Sequence, residues 1–187
     1  MCGLAGIVRR VITDEDEDAL RVALDALKTR GPDDFEIVRG ESFVFGHTRL
    51  AIQNLAGNNQ PASSNCGRWI ILFNGEIYNH HEIRKLLGRE GVRNWHGESD
   101  TETLLASIAT WGLDRALASV SGMFAIALWN TREKSLTLIR DRFGEKPLYY
   151  GWQSGTIIFA SELKALRLHP NFRSEVNRVS LKSLVTF

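Results

Sequence analysis

The chain has 187 residues, 43% of them hydrophobic and 24% charged, with 23 Lys and Arg against 22 Asp and Glu for a formal net charge of +1. That length supports one sizeable core and is short for two ordinary domains, so a single domain over 1–187 is expected. The charge balance gives no general field for nucleic acid or an anionic membrane, and the longest apolar runs, WIILF (69–73) and MFAIALW (123–129), fall far short of the roughly 20 residues of a membrane span.

No basic segment followed by an apolar stretch opens the chain, so a cytoplasmic protein is expected, with its two cysteines, Cys2 and Cys66, reduced. There is no CxxC or HExxH pattern. His80 and His81 are neighbours whose side chains should diverge, so no metal site is expected.

In chain order, 3–12 reads as a strand that starts almost at the first residue. The stretch from Thr13 to Gly31 reads as a helix with Asp14 as N-cap, Glu17 as its capping-box partner, Leu20, Leu24 and Leu27 on one face, and Gly31-Pro32 as the stop. Residues 42–52 alternate with period two, which places Phe43, Phe45, His47 and Arg49 on one face and Val44, Thr48, Leu50 and Ile52 on the other. GNNQP (57–61) reads as a loop and WIILF as a buried strand.

Two helices follow. HHEIRKLLGREG (80–91) turns Ile83, Leu86 and Leu87 inward, and SDTETLLASIATWG (99–112) has Ser99 as N-cap, Glu102 as capping-box partner, and Leu104, Leu105, Ile108 and Trp111 on one stripe. Strands are expected at about 122–130, 134–140, 147–152 and 156–161, then a short helix over SELKALRLH. Strands in two blocks with helices between, without regular βαβ alternation, predict an α+β fold with largely antiparallel sheets.

Some of these residues suit chemistry. If Met1 is removed, Cys2 carries its thiol beside its own α-amine. With reference pKa values of about 8.5 and roughly 7.7–8.0, the amine can take the thiol proton, so one residue supplies nucleophile and base. Asn74-Gly75, just after WIILF, is the usual dipeptide of a two-residue turn; it also offers a side-chain amide and a backbone N–H to a developing oxyanion. Arg49 is either a solvated rim charge or a fork for a carboxylate. Glu76 and Asp100 suit an ammonium group, although Asp100 in a first helical turn is also favoured by the helix dipole.

Taken together the segments are more specific. MCGLAGIV (1–8), RGPDD (30–34), GHTRLAI (46–52), NQP (59–61), FNGEIYNH (73–80), ESDTETLL (98–105), SGMFAIALWN (121–130), RDRFGEKPLYY (140–150) and ASELKAL (160–166) occur in an order and spacing that resembles the class II glutamine amidotransferases, on the asparagine synthetase side of the class. The resemblance extends over nearly the whole chain. It implies a four-layer αββα N-terminal-nucleophile hydrolase fold, two packed antiparallel sheets between helical layers.

It also implies roles: Cys2 as nucleophile, Asn74 and Gly75 as the oxyanion hole, Arg49 at the glutamine carboxylate, Glu76 and Asp100 near its ammonium, and Leu50 and Ile52 as further substrate-binding residues. The implied partners are glutamine and a synthetase domain or subunit that receives ammonia; a homo-oligomer is compatible with the sequence. No cofactor is expected in this part, ATP and magnesium belonging to the synthetase part. The apolar ending LVTF reads as an excised piece of a longer synthetase, with a free subunit as the other option. Amidation of another acid, such as a sugar carboxylate, and a non-catalytic glutamine-sensing or partner-binding domain remain as alternative readings. RDRFGEKPLYY and SELKAL are assigned to scaffold.

Overall fold

The computed structural model describes residues 1–50, 60–175 and 181–182. Its elements are β1 (Gly3–Val8), α1 (Asp14–Ala26), β2 (Asp34–Arg39), β3 (Phe43–Arg49), β4 (Ala62–Ser63), β5 (Trp69–Ile77), α2 (His80–Arg89), α3 (Asp100–Trp111), α4 (Leu113–Ser119), β6 (Gly122–Asn130), β7 (Ser135–Arg140), β8 (Tyr149–Gln153), β9 (Thr156–Ala160) and α5 (Leu163–Arg167). The strands form two sheets, β2-β3-β1-β9-β8 and β4-β5-β6-β7, and every pairing is antiparallel.

Period-two alternation sorts each strand between two environments. Leu4, Phe43, Phe45 and Phe159 of the first sheet meet Ile70, Leu72, Ala125, Ala127 and Trp129 of the second in one apolar layer between the sheets. The opposite face of the first sheet, through Ala5, Ile7, Val44 and Ile158, buries Leu20 and Leu24 of α1 and Leu166 of α5. The opposite face of the second, through Ile71, Phe73, Ile126 and Leu128, buries Ile83 and Leu87 of α2, Leu104 and Ile108 of α3, and Ala116 of α4. The result is the four-layer αββα arrangement.

Local details differ from the sequence reading by small steps. α1 is capped by Thr13, not Asp14: its hydroxyl accepts from Asp16 N at 3.3 Å while the Asp16 carboxylate accepts from Thr13 N at 2.8 Å, so Asp16 and not Glu17 closes the box. Glu17 instead pairs with Arg21 and Arg39. Ser99 does cap α3, accepting from Glu102 N at 3.1 Å, but the Glu102 carboxylate turns to His96 N, Gly97 N and Arg84, so the box is only half made.

The larger correction concerns Asn74-Gly75. The dipeptide does not reverse the chain; β5 runs straight through it, with Asn74 opposite Ala125 and Gly75 opposite Phe124 of β6. Neighbouring β6 explains the glycine, since a Cβ there would run into the Met123 carbonyl oxygen and the Phe124 backbone. Strands β2 and β4 and helix α4 had no distinct sequence signal. β2 holds its place by pairing along its whole length with β3, from Asp34 opposite Arg49 to Arg39 opposite Val44.

Phe45 is fully buried at the middle of the layer between the sheets, with ring centroids 4.6 Å from Phe43, 5.5 Å from Phe159 and 6.1 Å from Trp129. Phe45→Ala is expected to lower stability by about 3–5 kcal/mol, read from the denaturant midpoint with the m-value unchanged. A loss below about 1 kcal/mol would contradict this packing.

Candidate active site

Three strand ends and one helix start converge on one open cleft of about 530 Å³, within the roughly 300–1,000 Å³ of small-molecule sites. Cys2 precedes β1, Arg49 closes β3 and Leu50 follows it, Asn74, Gly75 and Glu76 lie in β5, and Asp100 opens α3; all seven line the cleft. Ile52, the remaining expected site residue, lies outside the described residues.

The β5 backbone explains how Asn74 and Gly75 can both serve. Side chains of Ile70 and Leu72 point between the sheets, and Asn74 continues that series to the point where the layer opens into the cleft. Asn74 is 2% exposed, and its amide Nδ2 is buried with no hydrogen-bond partner among the described residues. A buried unmatched donor costs about 1–3 kcal/mol and calls for an acceptor.

Gly75 follows from the ladder. Tyr78 N donates to Ser121 O at 2.8 Å, which marks the even-numbered β5 residues as those bonded to β6. Odd-numbered residues therefore direct their N–H groups to the other edge, where β4 pairs only as far as Ile70 and Ile71. On that edge Phe73 N donates to Gln60 Oε1 at 2.6 Å and Ile77 N to Asp100 Oδ2 at 3.0 Å. The Gly75 N–H sits between these two, facing the cleft.

Cys2 is held from two sides. Its thiol donates weakly to the Leu50 carbonyl at 3.9 Å, and its own carbonyl accepts from Arg30 Nε at 3.1 Å. Arg30 is in turn paired with Glu162 at 3.0 Å, so the SELKAL segment helps to hold the chain start. Asp100 is partly explained by structure: its oxygens accept from Thr101 N at 2.7 Å and Ile77 N, which ties α3 to the end of β5. Glu76 is exposed on the cleft wall.

Gln60, Lys146 and His47 also belong to this cleft, and sequence reasoning gave none of them a role. Gln60 bridges β5 and α3, its Nε2 donating to Thr101 Oγ1 at 3.5 Å. Lys146 stands on the loop that follows β7, which Asp141 organises. This carboxylate, 6% exposed, accepts from Phe124 N, Phe143 N, Glu145 N and Lys146 N at 3.0–3.2 Å. Burial alone would push the Asp141 carboxyl up, but the four N–H groups outweigh it and hold it below the usual range. The RDRFGEKP stretch is therefore an ordered loop, in keeping with its assignment to scaffold; Asp141 with Gly144 three residues on was the available turn signal.

His80 and His81 do not diverge. At the start of α2 their rings stack with centroids 3.9 Å apart. Among the described residues no group of three or more His, Cys, Asp or Glu is placed to hold a metal ion, and no helix is long and apolar enough to cross a membrane.

These features make a four-layer αββα fold with a polar cleft at the start of β1. The family model for a glutamine amidotransferase domain matches residues 1–187, and the chain belongs to that family. Glutamine-hydrolyzing asparagine synthetase 3 of Bacillus subtilis is 35% identical over 188 residues, 98% of this chain and 30% of that protein. Glutamine-hydrolyzing asparagine synthetase 2 of the same organism is 34% identical over 180 residues, 95% of this chain and 24% of that protein. The chain thus spans about a third or less of the length of these relatives. A solved structure of glutamine phosphoribosylpyrophosphate amidotransferase from B. subtilis, complexed with ADP and GMP, matches with a TM-score of 0.75 over 89% of this chain and 43% of that one, at 22% identity, which shows a shared fold.

His47 generates a pH prediction. It is 2% exposed, and burial, only partly offset by the Phe73 backbone and reinforced by the Arg49 charge, lowers its pKa to about 4. The unfolded chain, with an ordinary value near 6.5, takes up this proton first. His47 burial therefore leaves stability intact above about pH 6.5 and erodes it as pH falls toward 4, by roughly 3 kcal/mol in all. Denaturation midpoints measured from pH 7.5 to 4.5 should fall more steeply for the wild type than for His47→Gln; parallel curves would contradict the assignment.

Proposed function

We propose that this domain is the glutaminase half of a glutamine-dependent amidotransferase, hydrolysing glutamine to glutamate and ammonia through Cys2. The observation that carries the reading is the buried, unmatched Asn74 amide in the same cleft as Cys2 and Arg49. A site that holds a donor without an acceptor is organised for an oxygen that arrives with, or develops on, the substrate.

In this reading removal of Met1 frees the Cys2 amine. The thiol sulfur adds to the side-chain amide carbon of glutamine as the α-amine takes the thiol proton. Asn74 Nδ2 and Gly75 N donate to the amide oxygen while it carries negative charge. The amine passes the proton to the departing nitrogen, ammonia leaves, and a thioester remains. Water then adds to the thioester carbon, glutamate departs, and the thiol regains its proton. Arg49 takes the substrate carboxylate, Glu76 and Asp100 take its ammonium, and Leu50 and Ile52 are further substrate-binding residues. None of these steps calls for a cofactor.

The ammonia is destined for an asparagine-synthetase-like acceptor, on a longer chain or a separate subunit, where ATP and magnesium would act. The length and names of the relatives support that assignment. A cytoplasmic location fits, since it keeps the Cys2 thiol reduced.

Cys2→Ala is expected to abolish glutamine hydrolysis. Asn74→Ala should lower kcat by roughly 10²–10³ with little change in KM, because the lost bond forms mainly in the transition state. Ammonia release at varied glutamine concentration checks both. An unchanged kcat in Asn74→Ala would remove this residue from the site.

A further inference from the structure

Lys146 is a buried ammonium without an anion. The residue is 8% exposed and, among the described residues, makes no ion pair and has as its Nζ partner only the Met1 thioether sulfur, at 3.5 Å. A thioether is a weak acceptor, and a charge buried without an ionic partner is destabilising. Arg30, which also reaches the chain start, is by contrast paired with Glu162. A fold that tolerates one unbalanced cation in its reactive cleft places it where negative charge appears during the reaction.

Removal of Met1 would take away that one partner and leave the lysine in place. Its main chain is fixed independently, since Lys146 N donates to Asp141 and Lys146 O accepts from Arg140 Nε at 2.8 Å. The ammonium then remains in the cleft that Cys2, the new N-terminus, also lines.

Resting on the reading of Cys2 as the nucleophile, we infer that Lys146 is the positioning charge of the mature N-terminus, favouring the form of Cys2 that has lost one proton and the anionic sulfur it becomes. A nearby cation disfavours both a protonated amine and a neutral thiol, so the sign is the same whichever group holds the proton. Among the described residues, the other charged or titratable groups facing this space are Arg30 with Glu162 from the turn after α1 and the segment before α5, Arg49 from β3, Glu76 from β5 and Tyr78 just after it, His80 and His81 from α2, and Glu98 and Asp100 before and at the start of α3; His47 is neutral there. Glu76, Glu98 and Asp100 act against Lys146, and Arg49 acts with it.

The test uses protein whose loss of Met1 has been verified by mass. Lys146→Met should move the acidic limb of the kcat/KM profile for glutamine hydrolysis up by about one pH unit, and Lys146→Arg should restore it. The rate of Cys2 alkylation by iodoacetamide, mapped by peptide mass, should shift in the same direction without requiring turnover. If the wild type releases no ammonia yet the alkylation profile shifts in Lys146→Met, the glutaminase reading fails and the charge assignment stands. A folded Lys146→Met with both profiles unmoved overturns the inference. Should that variant and Lys146→Gln not fold, the wild type decides: alkylation with a midpoint clearly below the ordinary thiol value of about 8.5 supports the assignment, and one at or above it overturns it.

Discussion

Face-to-face packing of the two sheets is the constraint on which the rest depends. Phe45 and Phe159 against Leu72 and Trp129 set the register of one sheet over the other. With that register fixed, the start of β1 and the end of β3 lie over β5 where it passes Asn74. Cys2, Arg49 and Asn74 are far apart in sequence and come together because the layer between the sheets runs out at that point. Polar side chains continue the same alternating series that buries Ile70 and Leu72, so the site is the end of the core and not an addition to it.

Much of this was legible in the sequence. Period-two alternation in 42–52 put His47 and Arg49 on the face of Phe43 and Phe45, and the structure has Phe43 and Phe45 in the inter-sheet layer and His47 and Arg49 at its open end. Leu20 and Leu24 of α1 and Leu27 at its C-cap are buried as expected. What stayed hidden was set by partners remote in sequence. Asn74-Gly75 has turn composition, but pairing with β6 along nine positions overrides the local preference. Strand β2 exists because β3 offers it an edge, and α4 is a seven-residue helix held by the buried Ala116. Lys146 and Asp141 received no individual role because nothing in RDRFGEKP shows that four backbone N–H groups will close on one carboxylate.

Unmet polar demand concentrates in the cleft. Five buried side-chain nitrogens lack a partner among the described residues, and three of them, on His47, Asn74 and His80, belong to cleft-lining residues. Arg68 and His169 show that such a vacancy alone does not mark a site. The difference is company: the vacancies on His47, Asn74 and His80 share their space with a half-buried thiol, a guanidinium and an ammonium. Folding stability has been given up there, a few kcal/mol at a time, for a surface already arranged around a polar ligand.

The central claim is that Cys2 is the nucleophile of a glutamine site, and its most direct test is covalent capture. Protein that has lost Met1 is exposed to a glutamine analogue with a diazoketone in place of the side-chain amide, then analysed by intact mass and peptide mapping. The account predicts one adduct per chain, on Cys2, suppressed by excess glutamine. An unmodified Cys2 in protein that binds glutamine, or an adduct on the exposed Cys66 instead, would contradict it.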